Sequence, residues 1–339
     1  MTSRESSTQV LARLRRAFAA EPFTLTEAES HAFSHQQIQR LARLGLVHRL
    51  KRGIYVCEVG DSDVERAVEQ SRWFHRSGIP TVISGNASAA IWGMNLPSEV
   101  SGAPTIVIVP QQAKTRRGKR HGLVVRGSHM APEDSVEMRD GLCVATPIRT
   151  SLDIASLRQP PWSAVWVLIV GMRRQVMWQV TNSLTRHCSD HQIATQAQDE
   201  VVRTRAMEQL EAALDRRRGW GDGRVRPLIR WADIRLESPL EVRSWLEFHK
   251  HGLPMPQPQA WVQGASGRWY RADFRWGRVI GEADGAVKYT SREDLYAEKR
   301  RQEDLERAGF IIVRWSWAEI AEDPWSVVAC LRRALERAA

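Results

Sequence analysis

Residues 269–284 have the sequence WYRADFRWGRVIGEAD, and this stretch defines the fold of the C-terminal part of the chain. Apolar and polar residues alternate through its first half, which is the pattern of a half-buried β-strand. The apolar face consists of Tyr270, Ala272, Phe274 and Trp276. Asp273 therefore projects from the other face, and Glu282 and Asp284 share a face of the next strand. If the two polar faces meet, three carboxylates converge at a strand end.

A cluster of this kind has two possible interpretations, a metal site or a set of ordinary ion pairs. Carboxylate oxygens are hard ligands that suit Mg²⁺ or Mn²⁺. Such an ion could activate a water molecule and stabilise the charge that develops on a phosphate. The alternative is that the acids form ion pairs with nearby basic residues, namely Arg271, Arg275, Arg278 and Lys288.

The flanking sequence predicts an αβββαβ order. Ser238-Pro239-Leu240-Glu241 opens a helix that ends near His251, because serine caps helices and proline favours their first turn. The later predicted elements are strands at 259–263, 269–276 and 278–283, a helix at 292–308, a strand at 310–315 and a helix from about Ala318. Ser238 and Glu241 have capping-box spacing, which explains Glu241 without any metal.

The N-terminal residues predict three helices and a basic hairpin. Ser34 caps the third helix, whose residues Ile38, Leu41 and Leu44 face inward, and Gly45 ends it in a left-handed conformation. The exposed face of this helix consists of His35, Gln36, Gln39, Arg40 and Arg43. Side chains of these types can contact base edges and phosphates from a major groove.

Residues 46–56 predict two short strands joined by a basic turn, which together form a wing. Arg49, Lys51 and Arg52 would lie near a phosphate backbone. A winged helix used for protein contacts is the alternative, and the basic wing favours DNA.

The bulk properties agree with a DNA partner. The chain has 339 residues, enough for two or three domains, a formal net charge of +10 and a pI near 10.0. Its basic excess lies in the first 230 residues, whereas residues 231–339 contain 17 Lys and Arg against 17 Asp and Glu. The N-terminus lacks the features of a secretory signal and four scattered cysteines form no disulfide pattern, so we expect a cytoplasmic location.

The N-terminal half resembles a known family. Residues 41–56 have the pattern LxRLGLVxRLxRGIYV, and residues 24–56 are similar to the N-terminal domain of AbiEi-type antitoxins from abortive-infection systems. The segments VISGNASAAIWG at 82–93 and TPIRTSLDIA at 146–155 are similar to stretches of its multidomain relatives. This resemblance implies DNA binding within a toxin–antitoxin system, a role in phage defence and a cognate toxin protein as partner.

The C-terminal segment resembles the PD-(D/E)XK superfamily of restriction-endonuclease-like enzymes, in particular small domains similar to very-short-patch repair endonucleases. The supporting stretches lie at 238–241, 256–259, 271–274, 281–285, 288–289, 298–301 and 313–315. The resemblance implies that Asp273 and Glu282 bind the metal and that Glu241 assists. One departure matters: the lysine expected two residues after the glutamate is Asp284, and Lys288 is the candidate replacement.

We therefore predict an α/β multidomain protein. Its segments are a winged helix-turn-helix domain (1–58), an α/β connecting domain (62–160), a helical linker (161–230) and a restriction-endonuclease-like domain (231–339). The expected function is DNA binding combined with metal-dependent endonuclease activity that uses Mg²⁺ or Mn²⁺. The alternative is a non-enzymatic DNA-binding regulator or antitoxin whose nuclease fold is inactive.

Overall fold

The chain is a mixed α/β protein, which confirms the predicted class. The structure is a computed structural model that describes residues 5–19, 21–51, 53–58, 60, 62–100, 103–111, 118–120, 123–138, 141–181, 190–217, 219, 221–284 and 292–339. It forms two compact units, the first from residues 1–158, 170–187 and 208–226 and the second from 159–169, 188–207 and 227–339.

The first unit begins with three helices and a small antiparallel sheet. These elements are α1 (Ser7–Phe18), β1 (Phe23–Thr24), α2 (Leu25–Ser30), α3 (His35–Arg43), β2 (His48–Lys51) and β3 (Ile54–Val56), with strand order β1-β3-β2. Ser6, Thr24 and Ser34 each form a capping box at the start of a helix, so local sequence fixes where the helices begin.

One predicted core residue of α3 lies outside the core. Ile38 and Leu41 are fully buried, but the side chain of Leu44 is 57% exposed. Leu44 is the C-cap residue, and Gly45 follows it with φ of +70°. The chain turns away at this point, and Val47 packs into the core instead.

The first unit continues into a six-stranded mixed sheet with helices. Its elements are α4 (Asp63–Arg76), β4 (Val82–Ser84), α5 (Gly85–Ile91), β5 (Thr105–Val109), β6 (Gly118–Arg120), β7 (Leu123–Gly127), β8 (Ser135–Glu137), β9 (Cys143–Ala145) and α6 (Pro147–Ala155). The strand order is β6-β7-β5-β4-β9-β8. The segment at 82–93, which is similar to relatives of the AbiEi-type antitoxins, forms β4 and α5. The similar segment at 146–155 forms α6.

Four further helices follow, α7 (Pro161–Thr181), α8 (Asp190–Gln198), α9 (Glu200–Arg217) and α10 (Asp222–Val225). All four lie in the segment 161–230, for which the sequence predicts a helical linker. None of the helices in the described part of the chain is long and apolar enough to span a membrane.

A buried ion network ties α6 to α9 within the first unit. Asp153 accepts hydrogen bonds from Ser84 Oγ at 2.7 Å, Arg149 Nε at 3.1 Å and Arg217 Nε at 2.9 Å. Burial alone would raise the pKa of Asp153, but the two guanidinium groups hold it below its ordinary value. Asp153 is therefore a charged residue whose burial depends on its partners.

The second unit contains a four-stranded mixed sheet between helices. Its elements are α11 (Pro239–Lys250), β10 (Gln257–Gln263), β11 (Trp269–Trp276), β12 (Val279–Ala283), α12 (Arg292–Arg307), β13 (Ile311–Trp315), α13 (Trp317–Glu322) and α14 (Pro324–Ala338). The strand order is β10-β11-β12-β13; the first two pairings are antiparallel, and β12 with β13 is parallel. The elements follow the predicted order.

Two local predictions in this unit need correction. The single helix expected from about Ala318 is two helices, because Asp323 caps a new helix whose first residue is Pro324. Glu241 does not complete a capping box: Ser238 Oγ accepts from Glu241 N, but the Glu241 carboxylate accepts from the backbone N of Glu237.

Aromatic side chains hold α11 against the sheet. Phe248 makes edge-to-face contacts with Phe274, Trp276 and Trp315 at centroid distances of 5.3, 5.3 and 5.6 Å. Such contacts add about 0.5–1.5 kcal/mol each beyond the burial of area. This core packs the C-terminal half of α11 against β11 and β13.

The Asp153 network gives a stability prediction. Asp153→Asn should lower the free energy of unfolding by about 3 kcal/mol or more, because it leaves buried guanidinium groups without their carboxylate. Asp215→Asn is the control, since Asp215 and Arg226 form an ion pair with side chains 67% and 56% exposed; it should cost less than about 1 kcal/mol. Calorimetric melting of the full chain measures both, and equal melting temperatures would contradict the prediction.

Candidate functional site

Strand register brings two of the predicted acids together. Phe274 pairs with Gly281 across β11 and β12, so Asp273 and Glu282 follow as the next opposed residues. Asp273 Oδ2 accepts a hydrogen bond from the backbone N of Ala283 at 2.9 Å. The two carboxyl groups therefore occupy neighbouring positions on adjacent strands, as the alternation of residues predicted.

Glu241 joins them from the first turn of α11. Its Oε2 accepts from Gln259 Nε2 at 3.0 Å, and the same amide nitrogen lies 3.2 Å from Asp273 Oδ1. We refer to Glu241, Asp273 and Glu282 as the acid cluster. Gln259 is buried and bridges two of its members.

Sequence reasoning missed the role of Gln259. The residue has φ of +53°, an unusual backbone conformation for a residue with a side chain. Neither this conformation nor the contact with Glu241 leaves a signal in the sequence.

Arg301 is a second residue that sequence reasoning did not assign to the site. From α12 it donates to Glu282 Oε1 at 2.7 Å, to Glu298 Oε1 at 3.1 Å and to the carbonyl of Arg271 at 3.1 Å. A signal was available, because Arg301 belongs to the basic stretch 299–301 that follows Glu298.

Asp284 lies at the margin of the site. Its backbone N bonds to the carbonyl of Trp315 at 3.0 Å, and its side chain is 47% exposed and 3.8 Å from Arg314. Arg314 also pairs with Glu298. The sequence predicted a convergence of Asp273, Glu282 and Asp284. In the structure Glu241 joins Asp273 and Glu282, whereas Asp284 faces Arg314 at the margin and acts on Asp273 only by charge repulsion. Lys288 lies outside the described residues.

The ion pairs differ from those proposed in the ion-pair interpretation. Arg271 makes a two-pronged contact with Glu237 at 3.0 and 2.6 Å, not with the acid cluster. Arg275 and Arg278 donate to the carbonyls of Gly277 and Gly309. Arginines do reach these acids, but they come from α12 and β13, as Arg301 and Arg314.

The acid cluster carries more acid than base. Among the described residues in and around the acid cluster, five carboxyl groups accompany two guanidinium groups. The acids are Glu241, Asp273, Glu282, Asp284 and Glu298, and the bases are Arg301 and Arg314. This imbalance makes full ionisation costly in a site that water reaches poorly.

The pKa values reflect that cost. Burial, with added repulsion from Asp273, raises the pKa of Glu241 to about 8. Burial raises the pKa of Glu282 to about 7, although Arg301 acts to lower it. Burial also raises the pKa of Asp273 and of Asp284. Acids shifted in this way are characteristic of functional sites.

No group of three or more His, Cys, Asp or Glu side chains within the described ranges is arranged to hold a metal ion by itself. Asp273 and Glu282 supply an adjacent pair of carboxylates, while Glu241 is linked to Asp273 through Gln259 and Asp284 faces Arg314. A pair can suffice for Mg²⁺, which usually binds proteins through one or two carboxylates and completes its shell with water and substrate phosphate.

The predicted nucleic-acid surface lies on α3 and the hairpin after it. The side chains of His35, Gln36, Gln39, Arg40, Arg43 and Arg49 are all exposed. His35 Nε2 and Gln39 Nε2 lie 2.8 Å apart, one helical turn from each other. Arg52 and the side chain of Lys51 lie outside the described part of the structure.

Comparisons with known proteins give no functional assignment. No protein-family model matches the chain. The uncharacterized proteins MT2308 and Rv2248, from two strains of Mycobacterium tuberculosis, are each 30% identical over 136 residues, or 39% of this chain. The chain spans about half the length of these curated relatives.

A solved structure, that of the RV2827C protein from Mycobacterium tuberculosis, aligns with a TM-score of 0.35 and 16% identity. The alignment covers 66% of this chain and 80% of the other. The similarity is too low to support a statement about fold.

The raised pKa of Glu241 predicts a pH dependence of stability. The proton on Glu241 is bound more tightly in the folded state, so it stabilises the fold at low pH. This contribution is lost as pH rises from 4.5, the ordinary pKa of glutamate, through about 8, the pKa of Glu241 in the folded state. The wild-type melting temperature should fall between pH 5 and pH 9. Glu241→Gln should reduce the accompanying fall in the free energy of unfolding by more than about 1.4 kcal/mol, the equivalent of one pKa unit.

Glu319→Gln is the control for this experiment. Hydrogen bonds from the backbone and side chain of Ser316 lower the pKa of Glu319. The stabilisation that ionised Glu319 provides is therefore complete above 4.5, the ordinary pKa of glutamate, and constant from pH 5 to pH 9. This variant should melt lower by the same amount at every pH. A Glu241→Gln variant with the wild-type pH slope would contradict the assignment.

Proposed function

We propose that this chain is a DNA-binding protein with a divalent-metal-dependent endonuclease domain. In this proposal residues 5–58 form a winged helix that binds duplex DNA, and the sheet of the second unit belongs to a restriction-endonuclease-like domain. The observation that carries the proposal is the acid cluster, in which Glu241 and Glu282 are buried with insufficient positive charge around them.

Local architecture supports the winged-helix assignment. Three short helices precede a two-stranded hairpin, β2 with β3, and α3 presents a polar and basic face. Arg40 and Arg43 lie on the last turn of α3, and Arg49 lies on β2 of the hairpin. Basic side chains on a recognition helix and on a wing are suited to neutralise phosphates.

Topology supports the nuclease assignment. The order α11, β10, β11, β12, α12, β13 matches the αβββαβ order of the superfamily that the sequence resembles. The acid cluster lies where that resemblance assigns its metal ligands. Parallel pairing of β12 with β13 brings Glu282 beside Arg314 and completes the row of polar residues across the sheet.

The acid cluster fits a divalent cation. Asp273 and Glu282 would hold it, because they are adjacent hard-oxygen donors in a site where five carboxyl groups share two guanidinium groups. A bound Mg²⁺ or Mn²⁺ would polarise a phosphodiester and lower the pKa of a water molecule. The chain itself orients these ligands: Gln259 and the backbone N of Ala283 hold Asp273, and Arg301 holds Glu282.

Arg301 also supplies a positive charge near Glu282. The resemblance assigns such a charge to a lysine at position 284, which is aspartate here. A guanidinium 2.7 Å from Glu282 can stabilise negative charge that develops on a phosphate, although it cannot exchange protons as a lysine can.

A second candidate function is a DNA-binding regulator or antitoxin with an inactive nuclease fold. The observation that favours it is Asp284, which replaces the expected lysine and lies 3.8 Å from Arg314. In that case the DNA-binding module carries the function and a cognate toxin protein is the partner. The cleavage experiment below separates the two functions.

The winged-helix assignment predicts salt-dependent DNA binding. Reversing charge at Arg40 and Arg43 should weaken duplex binding and lower the slope of log affinity against log salt by about one for each phosphate that the variant no longer neutralises. Arg226→Glu is a control on the same chain at an exposed ion pair with Asp215, and it changes the net charge by two, as each single reversal at Arg40 or Arg43 does. Fluorescence anisotropy across a salt series measures the slope, and an unchanged slope in the double variant would rule out this surface.

The nuclease assignment predicts metal-dependent cleavage. With Mg²⁺ or Mn²⁺ the full chain should nick or linearise supercoiled plasmid. Asp273→Ala should reduce the rate by more than about 100-fold, since even groups that only orient a metal ligand contribute 10- to 100-fold. Asp215→Asn, a change at an exposed acid, should cleave like wild type.

The same proteins can be melted with metal and with chelator. Metal should raise the melting temperature of wild type, because it binds only the folded state, and Asp273→Asn should blunt the shift. If wild type neither cleaves plasmid nor responds to metal, the inactive regulator is the better description.

A further inference from the structure

Two tryptophans on the sheet of the second unit are exposed to solvent. Trp261 on β10 is 52% exposed and Trp269 on β11 is 61% exposed. Other aromatic side chains of β11, Phe274 and Trp276, are buried in the core. Flat apolar rings left in water on a β-strand suggest a binding surface rather than a packing requirement.

The two rings are neighbours on one face of the sheet. In the β10–β11 register Trp261 pairs with Arg271, and Gln263 pairs with Trp269. Trp261 and Trp269 are therefore diagonal cross-strand neighbours, with backbones about 7–8 Å apart and within reach of aromatic side chains. We call them the tryptophan pair.

This face leads to the acid cluster. Arg271 shares a face with Trp269, two residues away, and binds Glu237. The backbone N of Glu237 donates to Glu241 at 2.9 Å. Along β11, Trp269 precedes Asp273 by four residues, which places their backbones about 13 Å apart.

We propose that the tryptophan pair stacks unpaired nucleobases of the strand whose backbone reaches the acid cluster. The proposal rests on the nuclease function proposed above and specifies its substrate. A distance of about 13 Å corresponds to roughly four nucleotides at 3.4 Å each. The substrate should therefore carry unpaired bases, as a single strand, a bulge or a frayed end, within about four nucleotides of the cleaved bond.

Charge favours a nucleobase as the occupant. Residues 231–339 have 17 basic and 17 acidic residues, and the acid cluster repels phosphates in the absence of metal. Stacking on a tryptophan does not depend on net charge, and every base offers a π face. A surface of this kind would supply affinity for substrate in a region, residues 231–339, that has no excess of basic residues.

The test compares a thymidine oligonucleotide of about twelve nucleotides with an abasic oligonucleotide of equal length. Both carry the same phosphates, and only the first carries bases. Binding to the full chain is measured by anisotropy in the presence of chelator, so that cleavage plays no part. Trp261→Ala and Trp269→Ala should each lower affinity for the thymidine strand about 5- to 100-fold and leave affinity for the abasic strand unchanged.

Two further variants sharpen the test. Trp325→Ala removes a tryptophan that is 53% exposed on α14 and should bind both strands like wild type. Trp261→Phe with Trp269→Phe keeps aromatic faces and should retain most of the affinity. Near-ultraviolet circular dichroism of each variant establishes that it is folded.

The proposal is overturned if the alanine variants bind the thymidine strand like Trp325→Ala, or if they lose equal affinity for both strands. A change in self-association with no change in oligonucleotide binding would assign the tryptophan pair to a second copy of the chain, and would also overturn it. Plasmid cleavage by wild type alongside either result would leave the nuclease function standing. Base-dependent loss of binding, with no metal-dependent cleavage of either plasmid or the thymidine strand, would refute only the nuclease function.

Discussion

Burying a carboxyl group costs free energy unless a cation balances its charge. The second unit buries Glu241 beside neutral donors, Gln259 and the backbone N of Glu237, and buries Glu282 beside Arg301, which Glu298 shares. Protonation reduces this cost, which is why their pKa values are raised to about 8 and about 7. A divalent cation would reduce it further. The rest of the unit must be stable enough to hold these groups in place at neutral pH.

The aromatic core supplies that stability. Phe248 of α11 contacts Phe274 and Trp315 of the sheet, so the helix and the strands that carry the acid cluster are packed on each other. Trp315 Nε1 also donates to Ser244 Oγ at 2.7 Å, which satisfies a polar group inside this core. Packing of this kind limits the movement of α11, which carries Glu241, relative to β11, which carries Asp273.

Charge is divided between the two parts of the sequence. The basic excess belongs to residues 1–230, where Arg40, Arg43 and Arg49 are exposed, and residues 231–339 are neutral. In the proposed function, attraction of the DNA backbone and chemistry on it are assigned to different residues. This division would allow acidic groups to be concentrated in one region of a protein that we propose binds a polyanion.

Sequence alone determined the elements whose signals are local. Alternation placed β11 at 269–276 and put Asp273 opposite its apolar face, and serine caps located the starts of α3 and α11. These patterns extend over only a few residues, so the sequence contains them completely.

Tertiary structure decided which groups surround each acid. Gln259 and Arg301 reach the acid cluster from segments 14 and 19 residues away from their partners Asp273 and Glu282. Arg271, on the same strand as Asp273, turns instead to Glu237. The partner of a charged side chain depends on strand register and helix packing, which are set by the whole core and not by spacing along the chain.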